Sequence, residues 1–244
     1  MLDIRDVTKQ FSGFVAVNKV SLSIPAGATH AVIGPNGAGK TTLFNLASGS
    51  ITADSGSVSF EGRKIERMAA HEIVKIGMAR SFQRVNIFPR KSVFENVQVP
   101  LIVAAGLHLN PFRPAAQVFK DRAMELLELV ALADEAPRRA GELAHGRQKQ
   151  LELAVALASQ PKMLLLDEPT AGMSIAETRM SIRLINDIVR KRQLTLLFTE
   201  HDMNVVFDIA SAITVLHHGE VIAHGEPHEV RSNEEVKRVY LGKH

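Results

Sequence analysis

Cysteine and tryptophan are missing from this 244-residue chain, and tyrosine occurs once. Without cysteine there are no disulfides and no thiolate-ligated metals. So few aromatic rings leave no platform for stacking successive bases, and no nucleic-acid partner is expected. No stretch approaches the roughly 18 consecutive apolar residues that a membrane-spanning helix needs. The longest strongly apolar run outside the predicted strands is Leu101-Ile102-Val103-Ala104-Ala105. The first six residues are charged and alternating, without the apolar core of a secretion signal. Nor does one charge dominate: Lys and Arg total 29 against 26 Asp and Glu, a formal net charge of +3. The densest basic clusters, Arg138-Arg139 and Arg190-Lys191-Arg192, each close a helical segment, where cations complement the helix dipole. At 45% apolar residues the composition is that of an ordinary globular protein. The length suits one large α/β domain, or a core with a smaller appended lobe.

What is present begins with Gly34-Pro35-Asn36-Gly37-Ala38-Gly39-Lys40-Thr41, a full G-x-x-x-x-G-K-[ST] phosphate-binding loop. Its glycines let successive backbone N–H groups turn inward around an anion. Lys40 reaches β- and γ-phosphate oxygens as a point charge, and the Thr41 hydroxyl suits the oxygen shell of Mg²⁺. His30-Ala31-Val32-Ile33 reads as a short buried strand before the loop. Thr42-Leu43-Phe44-Asn45-Leu46-Ala47 reads as a helix after it, so phosphates would meet a helix N-terminus.

Around this motif the chain changes character twice. The first third alternates with period two in residues 2–7, 20–24 and 57–60, as half-buried antiparallel strands do. From about residue 92 to 159 helical spacing takes over, clearest in residues 122–130 and 148–157, with residues 106–114 as an inserted loop. After Pro161 come buried parallel-type strands, Met163-Leu164-Leu165-Leu166 and Leu194-Thr195-Leu196-Leu197-Phe198. Between them lies an amphipathic helix from Thr178 to Arg192 whose apolar face is expected to carry Met180, Leu184, Ile185, Ile188 and Val189.

Further candidates gather downstream. Asp167-Glu168 closes a buried strand; Asp167 there suits Mg²⁺ and Glu168 suits orienting or deprotonating a water. Gln83 carries an amide oxygen able to complete a metal or water shell. His201 follows the strand ending at Phe198 and is placed to meet a γ-phosphate. Leu143-Ala144-His145-Gly146-Arg147-Gln148 precedes a helix whose free N–H groups can form a second anion site.

Together and in this order these elements resemble the ATP-binding cassette of ABC transporters, over essentially the whole chain. The phosphate loop, with Thr42 after it, matches Walker A, and residues 164–168 match Walker B with its catalytic glutamate. Gln83 matches the Q-loop, residues 143–148 the signature motif, His201 the switch histidine, and Phe11 the aromatic that stacks on adenine. The resemblance implies an α/β fold: a P-loop NTPase core of the ABC ATPase type with an antiparallel β subdomain and an inserted α-helical subdomain. The insertion would span about residues 92–159, with residues 1–91 and 160–244 forming the core and β subdomain. It also implies an ATPase using ATP and Mg²⁺, with Thr41, Gln83 and Asp167 on the metal. Two cassettes would close head to tail, each ATP lying between one Walker A and the partner's signature. Permease subunits in the membrane, and a separate substrate-binding protein, complete the expected assembly. The cassette itself would be cytoplasmic, peripheral on the inner face of the membrane.

Two positions depart from the usual cassette. Ala144 and His145 replace the serine and first glycine of L-S-G-G-Q, removing a hydroxyl that contacts the partner's γ-phosphate. Ser174 stands where most cassettes carry aspartate. Residues 77–83, 86–90, 92–97, 168–173 and 236–242 look like ATPases that import branched-chain and related amino acids; the last also resembles lipopolysaccharide-export cassettes. Phe82, Val85, Ile87, Phe88 and Phe94 mark the expected membrane-partner surface. Alternatives left open are an export-type cassette, a nucleotide-gated interaction module without transport, and a binding-only cassette.

Overall fold

The computed structural model describes residues 1–81, 85–105 and 119–241. Gln83, Phe82 and the loop expected at 106–114 lie outside the described residues.

The N-terminal alternation builds a four-stranded antiparallel sheet, order β2-β1-β4-β5, from β1 (Leu2–Phe11), β2 (Phe14–Ile24), β4 (Ser55–Phe60) and β5 (Arg63–Lys64). Leu2 and Ile4 of β1 face inward, as period two requires. The alternation then breaks: Asp6 takes φ 47 and the pairing register shifts between Ile4 and Val7. That irregularity puts Val7 in the core and leaves Asp6 outside, where it bonds Ser21.

The second sheet has six strands in the order β10-β9-β3-β8-β7-β6. Its members are β3 (Thr29–Ile33), β6 (Met78–Arg80), β7 (Met163–Asp167), β8 (Thr195–Thr199), β9 (Ala212–His217) and β10 (Glu220–Gly225). Strands β3, β6, β7, β8 and β9 run parallel, and β10 returns antiparallel along β9. Successive side chains serve two cores. Ala31, Ile33, Leu164, Leu166 and Phe198 point to one, and Val32, Leu165 and Leu197 to the other, with Leu2, Phe44 and Phe60. Burial on both faces explains why these strands read as continuous apolar runs.

Helices cover both faces. Those flanking the antiparallel side are α1 (Lys40–Ala47) and the short α2 (Ala70–Lys75). Between β6 and β7 the described residues hold α3 (Val93–Ala104), α4 (Lys120–Leu129) and α5 (His145–Ala158), with no strand element among them. Ser92 opens α3 through a reciprocal capping box with Glu95. Val93, Val97, Leu126, Leu127, Leu151 and Leu157 then share one buried cluster. The remainder are α6 (Ile175–Arg192), α7 (Met203–Ile209), α8 (Pro227–Ser232) and α9 (Glu234–Leu241).

Helix α6 corrects one expectation. Thr178, Ser181, Ile182, Ile185, Ile188 and Val189 are buried, whereas Met180 is 62% exposed. At 100° per residue Met180 lies about 200° around the helix from Thr178, on the solvent side of that stripe.

His30 of β3 is 1% exposed, bonded through Nε2 to the Thr214 hydroxyl at 2.8 Å, which also contacts His224 Nδ1 at 2.9 Å. Burial first, and the neighbouring His224 second, push its pKa down to about 4 from 6.5. The unfolded chain therefore takes up this proton first as pH falls. Stability from a neutral His30 is complete above pH 6.5 and is lost between 6.5 and about 4. We expect roughly 3 kcal/mol of unfolding free energy to disappear across that window. A His30→Gln variant should show a shallower loss by urea titration; identical pH slopes would contradict it.

Candidate nucleotide-binding site

The parallel strands place their carboxyl ends on one edge. In the ladder Asp167 of β7 lies opposite Thr199 of β8, and Thr199 opposite Val32 of β3. Whatever follows these strands must converge there.

After β3 the chain enters the glycine loop. A Cβ on Gly34 would collide with the Leu216 carbonyl, and one on Gly39, already at φ 100, with the Ala16 carbonyl. The loop thus sits against β2 and β9, and Gly219 N–H donates to the Ala38 carbonyl at 3.0 Å. Lys40 starts α1 inside this wrap, donating to the Gly34 and Pro35 carbonyls at 2.6 and 3.1 Å. Burial pulls its pKa down, while Glu168 and Asp167 push it back up. An open cleft of about 670 Å³ lies over the loop, lined by Phe14, Ala16, Asn36, Gly37, Ala38, Gly39, Lys40, Thr41, Thr42 and Glu168.

Asp167 and Glu168 play separate parts from adjacent positions. Asp167 is 2% exposed; its Oδ1 accepts from the Thr199 hydroxyl at 2.8 Å, and its Oδ2 lies 3.4 Å from Arg80 Nη2. Glu168 leaves the strand at φ 51, a left-handed conformation that costs a non-glycine residue about 1–3 kcal/mol. Its N–H donates to Thr199 Oγ1 at 3.0 Å. The turn directs its side chain to the cleft wall, where Oε1 accepts from His201 Nε2 at 2.8 Å. Behind this pair, buried Glu200 accepts from Thr170 N–H and Oγ1 at 3.0 and 2.7 Å. Burial is the main force raising the pKa of Glu200.

The structure divides the sequence-read residues. Asn36, Gly37, Ala38, Gly39, Lys40, Thr41, Thr42 and Glu168 line one cleft; Gly34 and Pro35 accept from Lys40, His201 bonds Glu168, and Asp167 precedes Glu168 and bonds Thr199. Leu143, Ala144, His145, Gly146, Arg147 and Gln148 do not line it. Ala144 caps α5 without a side-chain bond, and His145 Nε2 faces the Ala171 carbonyl at 3.2 Å. Arg147 donates to the Ala131 carbonyl at 2.8 Å, and Gln148 to that of Ala140 at 3.4 Å. Ser174 caps α6 in a reciprocal pair with Glu177. Phe11 pairs with Phe14 across the β1–β2 turn and has Lys9 Nζ 5.5 Å from its ring centre; it is Phe14, two-thirds exposed, that lines the cleft. Sequence reasoning missed Phe14, Thr199 and Arg80. An aromatic one turn after Phe11 was the available sign for the first.

A strand, a glycine loop on a helix N-terminus and a carboxylate pair on a nearby parallel strand define a P-loop nucleotide-binding protein. A profile of the ABC transporter family matches residues 17–171, and one for the branched-chain amino acid ATP-binding cassette transporter matches residues 220–244. The chain is 37% identical over 249 residues to the high-affinity branched-chain amino acid transport ATP-binding protein LivG of Salmonella typhimurium, covering 99% of this chain and 98% of that protein. It is 36% identical over 253 residues, with the same coverage, to BraF of Pseudomonas aeruginosa. The ADP conformation of MJ1267, an ATP-binding cassette of an ABC transporter, superposes with TM-score 0.87 at 30% identity, covering 100% and 99% of the two chains. A dimeric structure of the cassette MJ0796 superposes with TM-score 0.81 at 26% identity, covering 93% and 99%. The chain belongs to the ABC transporter family, as an ATP-binding cassette with ATPase activity.

Thr199 serves both carboxylate positions at once. Thr199→Val keeps the shape but leaves a buried carboxylate oxygen and the Glu168 N–H without their partner. We expect a loss of roughly 1–3 kcal/mol in urea unfolding, with ATPase activity falling further than nucleotide affinity. Wild-type turnover in the variant would contradict this.

Proposed function

We propose that this cassette binds ATP over the loop at residues 34–41 and hydrolyses it to drive uptake of branched-chain amino acids or related small polar solutes. One observation carries the hydrolytic part: a carboxylate on the cleft wall, Glu168, held by His201 at 2.8 Å. Glu168 is close enough to the phosphate cleft to accept a proton from a water attacking the γ-phosphate, with ADP leaving in line. The bond from His201 keeps that carboxylate aimed, and Lys40 supplies fixed positive charge for the transferring phosphoryl group. Full-length similarity to LivG and BraF supports the importer reading over an export-type cassette or an interaction module without transport.

The residues present fit a magnesium ion. The Thr41 hydroxyl and the buried carboxylate of Asp167 are hard oxygen donors on the same edge. Together with Gln83 they would hold it, and it would supply neutralising charge to the β- and γ-phosphates. Phe14 offers an exposed ring at the cleft rim for the base, alongside Phe11.

Residues 143–148 stay off the cleft, which supports their service to a second cassette's ATP. The free N–H groups at the start of α5 remain for that anion although Ala144 provides no hydroxyl. We place the cassette on the cytoplasmic face of the membrane, against permease subunits and served by a separate substrate-binding protein. No helix among the described residues is long and apolar enough to cross a membrane. Phe88 is the proposed permease contact. Its ring is 56% exposed, while its backbone is clamped by buried Asn96, which accepts from Phe88 N–H at 2.7 Å and donates to its carbonyl at 3.1 Å. Ile87 and Phe94 pack inward instead.

Glu168→Gln should cut turnover by roughly 10²–10⁴-fold and accumulate an ATP-bound dimer in size-exclusion chromatography. Equal behaviour of variant and wild type would sink the hydrolytic assignment. Phe88→Asp should abolish stimulation by the membrane subunits while ATP affinity stays within about twofold, since Phe88 lies outside the cleft. Unchanged assembly with those subunits would refute the contact.

A further inference from the structure

Arg80 ends β6, beside β7 at the sheet edge. Its side chain is only 9% exposed and spans two elements. Nη1 donates to Asn45 Oδ1 at 2.7 Å and to Ser48 Oγ at 2.8 Å, at the far end of the phosphate-loop helix. Nη2 reaches Asp167 Oδ2 at 3.4 Å, while Thr199 takes Oδ1. A guanidinium is a rigid planar fork, so the grip on Asn45 and Ser48 determines where Nη2 stands. The same fork is the ion-pair partner of a carboxylate that is itself only 2% exposed.

We propose that Arg80 is a positioning residue for Asp167: anchored on α1, it fixes the orientation of the carboxylate assigned to the magnesium side of the nucleotide. Arg80 does not line the nucleotide cleft, and among its bonds it is the one to Asp167 that reaches the carboxylate pair. The phosphate loop and the strand carrying Asp167 are thereby tied at the far end of α1 as well as across the sheet. The inference rests on the assignment of Asp167 to the magnesium side.

The test is a fluorescence titration of the full-length protein with trinitrophenyl-ATP, first in EDTA and then against free Mg²⁺. In Arg80→Gln, binding in EDTA should stay within about twofold of wild type, while the Mg²⁺ midpoint rises roughly tenfold or more, as when an outer partner of a metal ligand is lost. Arg80→Lys, which keeps the charge but not the fork, should fall between. The double variant Asn45→Ala/Ser48→Ala cuts the same tie at its other end. It should shift the midpoint in the same direction, and it carries the test if Arg80→Gln does not fold. An unchanged midpoint, or equal weakening with and without Mg²⁺, would overturn the role of Arg80 alone. A wild type whose binding ignores Mg²⁺ would overturn the assignment of Asp167 and this inference with it.

Discussion

Everything at this site hangs on one hydroxyl. Thr199 is fully buried at the end of β8, donating to Asp167 and accepting from the N–H of Glu168. Those two bonds decide that consecutive carboxylates on β7 diverge, one remaining in the sheet and one turning at φ 51 toward the cleft. The left-handed turn is strained, and the surrounding bonds must hold it. Because Thr199 is also in register with Val32, the same point fixes how the carboxylates stand relative to the phosphate loop. Positioning of this kind is most of what a phosphoryl-transfer enzyme contributes.

From that point outward the fold is a set of braces around one edge. The β9–β10 turn bonds the loop from one side, and Arg80 bridges α1 to Asp167 from the other. Glu200 ties Thr170 to the segment carrying His201. The two apolar cores on opposite faces of the parallel sheet keep those strand ends from sliding. By contrast the start of α5 does not line this cleft, and its N-cap, Ala144, makes no side-chain bond to the helix N–H groups. The cassette MJ0796, 26% identical, has a dimeric structure, and the proposed service of residues 143–148 to a second cassette requires such a pair.

Local patterns were legible. The strand, glycine loop and helix around Lys40 are contiguous, and their chemistry is written in adjacent residues. The buried strand ending in Asp167-Glu168 was equally plain, because burial on both faces gives an unbroken apolar run. Less local features escaped. Period two over residues 2–7 runs through a bulge it does not show, since nothing in the six residues from Leu2 reveals that Asp6 bonds the Ser21 hydroxyl and leaves Val7 inside. Apolar character alone assigns Met180 to the core, but the helix phase is set by Thr178 and Ser181, two small polar residues that are buried. Phe11 and Phe14 pair across one turn, and only the folded hairpin shows that Phe14 is the one lining the cleft.

The sequence by itself determined the chemistry of this protein. A lysine in a glycine loop, a carboxylate pair after a buried strand and a histidine after the next can be read in order, because each motif acts through neighbours along the chain. Tertiary structure alone decided which groups meet and what steadies them. Thr199, Arg80, Asn45 and Glu200 carry no motif; they matter because strand register brings side chains from distant segments within hydrogen-bond reach. Register follows from packing two cores at once, and no single segment encodes that.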